Sequence, residues 1–264
     1  MTIIQAIILA IIEGLTEFLP ISSTAHMKFA NPIIGVQSTP FTDMFEIVIQ
    51  LAAILAVVVV YYKKFFDFSR ISFYIKLIIA VIPAIVFGML LKKHIDSALG
   101  NLYFMACTMI GGGIVFLFID RFFRNPTIED ERQVSNGTAF RIGCFQVLSI
   151  ILPGISRSAV TIIGGMSQSL SRKAAAEFSF FLAVPTMVAV SVKSLWDLHK
   201  NHPEALSMDN FSILGISSVI VFIVSIIVIR LFIGILKRYG FKFWGYYRII
   251  VGLVMLLLLW RGIV

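Results

Sequence analysis

The sequence predicts an all-α polytopic membrane protein: six transmembrane helices plus two re-entrant helix hairpins in an inverted-topology repeat. Three observations carry this. First, the chain has 264 residues, is 59% hydrophobic and only 14% charged, where a soluble domain averages about 45–50% apolar and about 25% charged. Second, the surplus sits in long runs such as 47–62, 77–91 and 213–229, and about 20 apolar residues suffice to cross a bilayer. Third, two apolar segments are interrupted by acids, prolines and serines in a way that no plain span tolerates.

The six spans are expected at about 44–62, 74–92, 103–120, 177–196, 211–233 and 245–260. Helix is the default because lipid offers no partner to an unpaired backbone group. Gly111–Gly113 and Pro185 fall inside two of them, as close-packing or kink positions. The interrupted segments are 2–30, broken by Glu13, Glu17, Pro20, Ser22, Ser23, Thr24 and His26, and 139–170, broken by the stretch from Pro153 to Ser158. In each, a short apolar stretch leads to a proline, then a serine-rich turn, then another apolar stretch. Both predict hairpins that enter the bilayer and return. Irregular backbone at that depth needs surrounding protein or a water-filled cavity.

The two segments resemble each other. Pro20-Ile-Ser-Ser-Thr24 echoes Pro153-Gly-Ile-Ser-Arg-Ser158, and downstream of each proline a Glu beside a Phe, Glu46 and Glu177, 26 and 24 residues on, is expected to open a spanning helix. The whole chain, 1–264, then reads as one membrane domain with a first repeat at 1–123 and a second at 139–262. One hairpin plus three spans per half puts the halves in opposite orientations, with a site expected where the broken helices meet.

The net charge of +8 does not point to nucleic acid. The basic residues stand at the ends of apolar runs, where they set topology. Lys63, Lys64, Arg70, Arg124, Arg141, Arg172 and Lys237 share the richer, cytoplasmic side; Lys28, Lys92, Lys193 and Arg261 share the other. Both termini and the mouth of the first hairpin should face outward, and the loop 121–141, with Glu129, Asp130 and Glu131, should be cytoplasmic and solvated. Cys107 and Cys144 lie in apolar stretches and read as packing residues, not a disulfide or metal pair. No cleavable signal peptide is expected, since the first apolar stretch runs into Glu13, Thr16 and Glu17.

Glu13 and Glu17, four apart, share a helix face. Two stacked carboxylates in apolar surroundings need compensation by a proton, a divalent cation or an arginine. Ser22, Ser23 and Thr24 supply hydroxyls that can cap a helix, hold an anion with exposed N–H groups or, for one serine, act as a nucleophile. His26 follows at once. Arg157 stands deep between apolar runs, at a cost of about 2.5–3.5 kcal/mol on insertion scales, and needs a carboxylate or a phosphate. Its fork suits bidentate phosphate binding, and Ser156 and Ser158 flank it with further donors. Together the set can recognise and strain a phosphoanhydride.

Glu13-Gly-Leu-Thr-Glu17-Phe-Leu-Pro-Ile-Ser-Ser-Thr-Ala-His26 resembles the glutamate-rich first signature of the undecaprenyl-diphosphatases, also called bacitracin-resistance proteins. Pro153-Gly-Ile-Ser-Arg-Ser158 resembles their second, and the likeness covers essentially the whole chain. It implies hydrolysis of undecaprenyl diphosphate to undecaprenyl phosphate and inorganic phosphate, recycling the peptidoglycan lipid carrier, with a divalent cation, Mg²⁺ or Ca²⁺. Carried over, Glu13 and Glu17 serve the metal or act as acid and base, Ser23 is the nucleophile or a phosphate ligand, Arg157 grips the diphosphate, and His26 assists proton transfer. Ser22, Thr24, Ser156 and Ser158 complete the substrate contacts. Ala25 stands where the family's pattern has glycine, so a left-handed turn there would be strained. Undecaprenyl diphosphate and membrane lipid are the expected partners, and a homodimer is a compatible assembly. The competing reading is a transporter or flippase of a polyprenyl phosphate or another anion, because paired broken helices in inverted repeats also build transporters.

Overall fold

The computed structural model describes residues 1–67, 71–123, 125–205 and 207–264. Arg70 and Arg124 of the expected cytoplasmic set lie outside the described residues, as does the side chain of Lys237. No strand is present among the described residues, only an isolated bridge between Ile128 and Leu170.

The first hairpin is α1 (Ile3–Thr16), a turn, and α2 (Ser23–Ile33). A reciprocal cap starts α1: Thr2 Oγ1 accepts from the Gln5 backbone, and the Gln5 side chain accepts from Thr2 N at 2.7 Å. Three spans follow: α3 (Pro40–Val60), α5 (Ile71–Leu90) and α7 (Leu102–Phe122), with short α4 (Tyr62–Phe65) and α6 (Lys92–Leu99) at the connections. Thr39 caps α3, with Pro40 in the first turn, a place where its missing N–H costs nothing. The second half repeats the order: α8 (Asn136–Ile151), a turn, α9 (Arg157–Ser167), then α10 (Arg172–Asn201), α11 (Met208–Tyr239) and α12 (Lys242–Trp260). Ser135, Ser171 and Ser207 cap α8, α10 and α11.

The six helices α3, α5, α7, α10, α11 and α12 are long and apolar enough to cross a membrane, so the chain is a multi-pass membrane protein. Their outward faces carry Ile78, Leu90, Val219 and Trp260 exposed, a coat that lipid accepts and water penalises. Each span begins one to five residues before the limit that hydropathy predicts, while α3 and α5 end two residues short of theirs. The largest extension is in α10, where Arg172 and Lys173 open the helix and His199 and Lys200 close it.

The hairpins are held between the halves. Helix α1 packs on α11 and α8 on α5, while α3 meets α10 and α7 meets α12. A Cβ on Gly14 would lie 2.8 Å from Val224 on α11, and one on Gly143 would enter the backbone of Ala80 on α5. Small residues let both pairs approach closely.

Three local expectations are corrected. Glu46 and Glu177 do not open their spans; both are buried inside α3 and α10, Glu46 against Lys28 (3.0 Å) and Asn31 (2.6 Å), Glu177 against Lys64 (2.7 Å). Glu131 is not solvated with its loop but turned inward, 2% exposed, 3.0 Å from the same Lys64. Burial opposes the Lys64 charge, yet the two carboxylates outweigh it and hold the ammonium above its ordinary range. Cys107 and Cys144 are free thiols on exposed surface, not packing residues of the core.

Candidate active site

The two turns meet inside the bundle. Each ends on a serine with positive φ, Ser22 (φ 71, ψ 90) and Ser156 (φ 79, ψ 122), which caps the returning helix through its hydroxyl. Ser22 Oγ accepts from Ala25 N at 3.4 Å and Ser156 Oγ from Ala159 N at 3.3 Å. Such backbone costs about 1–3 kcal/mol in a non-glycine residue and turns the chain sharply enough to aim the next residue, Ser23 or Arg157, into the interface between the halves. The expected strain at Ala25 is absent: Ala25 is helical and buried, and the left-handed position falls on Ser22.

Glu17 is the hub. One carboxylate oxygen accepts from Ser23 Oγ at 2.6 Å and the other from Arg157 Nη2 at 2.8 Å. Both members of the ion pair are largely buried, 8% exposed at Glu17 and 13% at Arg157. The charge that lipid would penalise on each side is therefore neutralised by the other. Arg157 Nη1 also reaches Ser179 O at 3.4 Å, and Ser179 Oγ lies 2.6 Å from Thr161 Oγ1. Ser158 Oγ bonds across the turns to Leu19 O at 3.3 Å and lies 3.0 Å from Ser156 Oγ. Phe18 and Phe180, the buried neighbours of Glu17 and Ser179 in sequence, are in edge contact at 5.2 Å.

Glu13 is fully buried beside Glu17 and Ser23, and both of its oxygens lack a hydrogen-bond donor. A carboxylate so placed needs a proton or a cation. Hard divalent ions take oxygen ligands, and Mg²⁺ in particular is held by one or two carboxylates with phosphate oxygens and water completing its shell. Glu13, with Glu17 adjoining, fits that demand. No group of three or more His, Cys, Asp or Glu stands ready to ligate among the described residues, so the protein's share of such a shell is partial.

His26 is half-buried and held at both nitrogens. Nδ1 is 2.8 Å from Ser22 O, and Nε2 is 2.9 Å from the Tyr247 hydroxyl, with the two rings stacked at 5.8 Å. A carbonyl only accepts, so Nδ1 carries the proton and, in the neutral ring, Nε2 accepts from Tyr247. Thr24 is half-buried in the first turn of α2. The turns thus unite Glu13, Glu17, Ser23, Arg157, Ser156 and Ser158, while His26 is set aside on α2 against α12.

Two residues at this site escape the motif reading. Tyr247 orients His26, and its neighbour Arg248 is wholly buried, bonded to carbonyls of both turns. The one sequence signal is an arginine inside an apolar span, which is costly and so needs an internal partner.

Comparison with known proteins identifies the family. The family model described as bacitracin resistance protein BacA matches residues 6–254. The chain is 46% identical over 279 residues to an undecaprenyl-diphosphatase of Porphyromonas gingivalis, covering 100% of this chain and 99% of the relative. It is 49% identical over 259 residues to one of Flavobacterium johnsoniae (98% and 96%) and 40% identical over 264 residues to one of Bdellovibrio bacteriovorus (99% and 98%). A match of this extent, with both signature turns inside it and in contact, places the chain in the bacitracin resistance protein BacA family.

Proposed function

We propose that this protein is a membrane phosphatase that hydrolyses undecaprenyl diphosphate to undecaprenyl phosphate and inorganic phosphate, recycling the lipid carrier of the cell wall and so conferring bacitracin resistance. The carrying observation is the doubly engaged Glu17, which takes Ser23 on one oxygen and Arg157 on the other. A nucleophile bonded to its base, with a cation alongside, suits attack on a phosphoanhydride.

The Ser23 hydroxyl gives its proton to Glu17 as Oγ attacks the terminal phosphorus. The anhydride P–O bond breaks and undecaprenyl phosphate leaves. Water then attacks the phosphoserine, releasing inorganic phosphate and returning the proton to Ser23. Arg157 steadies charge on the phosphoryl oxygens with the N–H groups not spent on Glu17 and Ser179. The hydroxyls of Ser22, Thr24, Ser156 and Ser158 and the exposed N–H groups at the starts of α2 and α9 add donors. His26, through Nε2 and Tyr247, moves protons at the edge of the site. Glu13 and Glu17 would hold a divalent cation, Mg²⁺ or Ca²⁺, and its charge would add to the neutralisation of the phosphate.

Each hairpin is re-entrant, and the halves, 1–123 and 139–262, form an inverted repeat within one membrane domain. The packing supports this: exchange the halves and α1 with α11 becomes α8 with α5, while α3 with α10 and α7 with α12 map onto themselves. Lys63 and Lys64 after α3, and Arg172 and Lys173 at the start of α10, support a cytoplasmic face at that end, hence a site and both termini toward the outer face of the bacterial cytoplasmic membrane. Membrane lipid surrounds the chain, and a homodimer is compatible with its exposed apolar faces.

The test is phosphate release from undecaprenyl diphosphate by the full-length protein in detergent, with and without Mg²⁺ after chelation. Release lost in Glu17→Gln and Ser23→Ala is the expected result. Movement of the lipid across liposomes with no release of phosphate would replace hydrolysis by transport.

A further inference from the structure

We propose that Arg248 is a positioning residue that holds the two turns in register, so that Glu17 and Arg157 meet; this rests on the phosphatase reading. Arg248 belongs to α12, outside both signature motifs, and is 0% exposed. Its guanidinium has five N–H groups, and each one meets a backbone carbonyl. Nε donates to Met109 O (3.3 Å). Nη1 donates to Pro20 O (3.0 Å) and Ile155 O (2.9 Å). Nη2 donates to Thr108 O (3.4 Å) and Gly154 O (2.9 Å). With every donor spent, none is left for a phosphate, so its role differs from that of Arg157.

The acceptors explain the choice of arginine. Pro20, Gly154 and Ile155 form the turns, where the chain leaves one helix before entering the next and its carbonyls have no helical partner. At membrane depth such groups need protein donors. A single atom, Nη1, bridges the two turns, and the fork ties both to α7 through Thr108 and Met109. The fork is rigid and planar, whereas lysine brings three donors on one rotating atom. The partial negative ends of five carbonyls and the face of Phe116, 5.3 Å from Cζ, offset its charge. The cradle is cut to fit: a Cβ on Gly112 would lie 2.5 Å from Nη2 and 3.1 Å from Cζ, so α7 leaves a glycine where the guanidinium passes.

The consequence is geometric. Glu17 lies just before Pro20 and Arg157 just after Ile155, so the bridged carbonyls set how far apart the two charged groups stand. Besides the Glu17–Arg157 pair that Arg248 serves to place, the turns are linked by Ser158 Oγ to Leu19 O, which is long at 3.3 Å.

The full-length protein in detergent, as R248K, R248M and G112A, tests this by steady-state phosphate release from undecaprenyl diphosphate together with thermal unfolding. G112A keeps the arginine but displaces its guanidinium. A misplacement near 1 Å costs on the order of 100-fold, so R248M should lose about 100-fold or more in kcat. R248K and G112A should each lose about 10-fold, with KM changed by less than about threefold. If R248M does not fold, R248K and G112A decide. An unchanged kcat per folded molecule in those two variants overturns the proposal, as does a raised KM at constant kcat, the mark of direct substrate contact. A wild-type protein that releases no phosphate removes the underlying phosphatase reading instead, whatever the variants do.

Discussion

The two turns share a pattern and differ in what they carry. Both place a proline before a serine of positive φ that caps a returning helix. Glu13 stands seven residues before Pro20 and Gln146 seven before Pro153; both side chains are buried, and each keeps oxygen unpartnered. The first turn supplies carboxylates and Ser23, the nucleophile proposed above, the second a guanidinium and flanking hydroxyls. The same fold unit thus appears once as an acidic element and once as a basic one. The lesson is electrostatic: neither turn can bury its charge alone, and each is the other's counterion.

The sharpest way to break this division is to remove one side. Arg157→Ala leaves Glu17 as an uncompensated buried carboxylate. It should abolish phosphate release to background and lower stability by about 3–5 kcal/mol, measured by thermal unfolding in detergent; an unchanged melting temperature would separate the two turns energetically. Glu17→Gln should cost about 10²–10⁴-fold in kcat, the typical worth of a positioned base, and should melt closer to wild type than Arg157→Ala, because the amide still accepts from Arg157.

Glu13→Gln makes the first turn match the second. Since Gln146 is accommodated in the equivalent place, the fold should tolerate it. Activity should fall about 10–100-fold, and the Mg²⁺ concentration for half-maximal rate should rise by a similar factor. Wild-type Mg²⁺ dependence in this variant would move the cation away from Glu13.

Tyr247→Phe tests the flank. It deletes the hydroxyl at His26 Nε2 without changing ring size, at a net cost of about 0.5–1.5 kcal/mol for one hydrogen bond, or about 2–10-fold in rate. A loss as great as that of Glu17→Gln would make His26 central to the chemistry. The smallest effect is expected from Ser156→Gly. Losing the cap to glycine costs a few tenths of a kcal/mol, and relieving the left-handed backbone returns about 1 kcal/mol or more, so the variant should melt slightly higher than wild type.

Much of the site was legible because it is local. Glu13 and Glu17 share a face by helical spacing, and a proline followed by serines marks the end of one helix and the cap of the next. An arginine between apolar runs demands a counterion, and Glu17 is that counterion. What local pattern cannot express is mutual distance. Ala25 drew attention as a strained position, yet the turn placed its left-handed residue three positions earlier. Glu131 sits in a polar loop and so read as solvated, although Lys64, far away in sequence, draws it inward.

By itself the amino-acid order determined the six spans, the two interrupted hairpins and the residues able to carry phosphate chemistry, because burial in lipid and helix termination are decided by neighbours within a few turns. Only the tertiary structure decided that Tyr247 holds His26 and that Arg248 joins the turns. Its acceptors come from three segments distant in the chain, and a carbonyl's need for a donor depends on where the backbone runs in space, not on which side chain it bears.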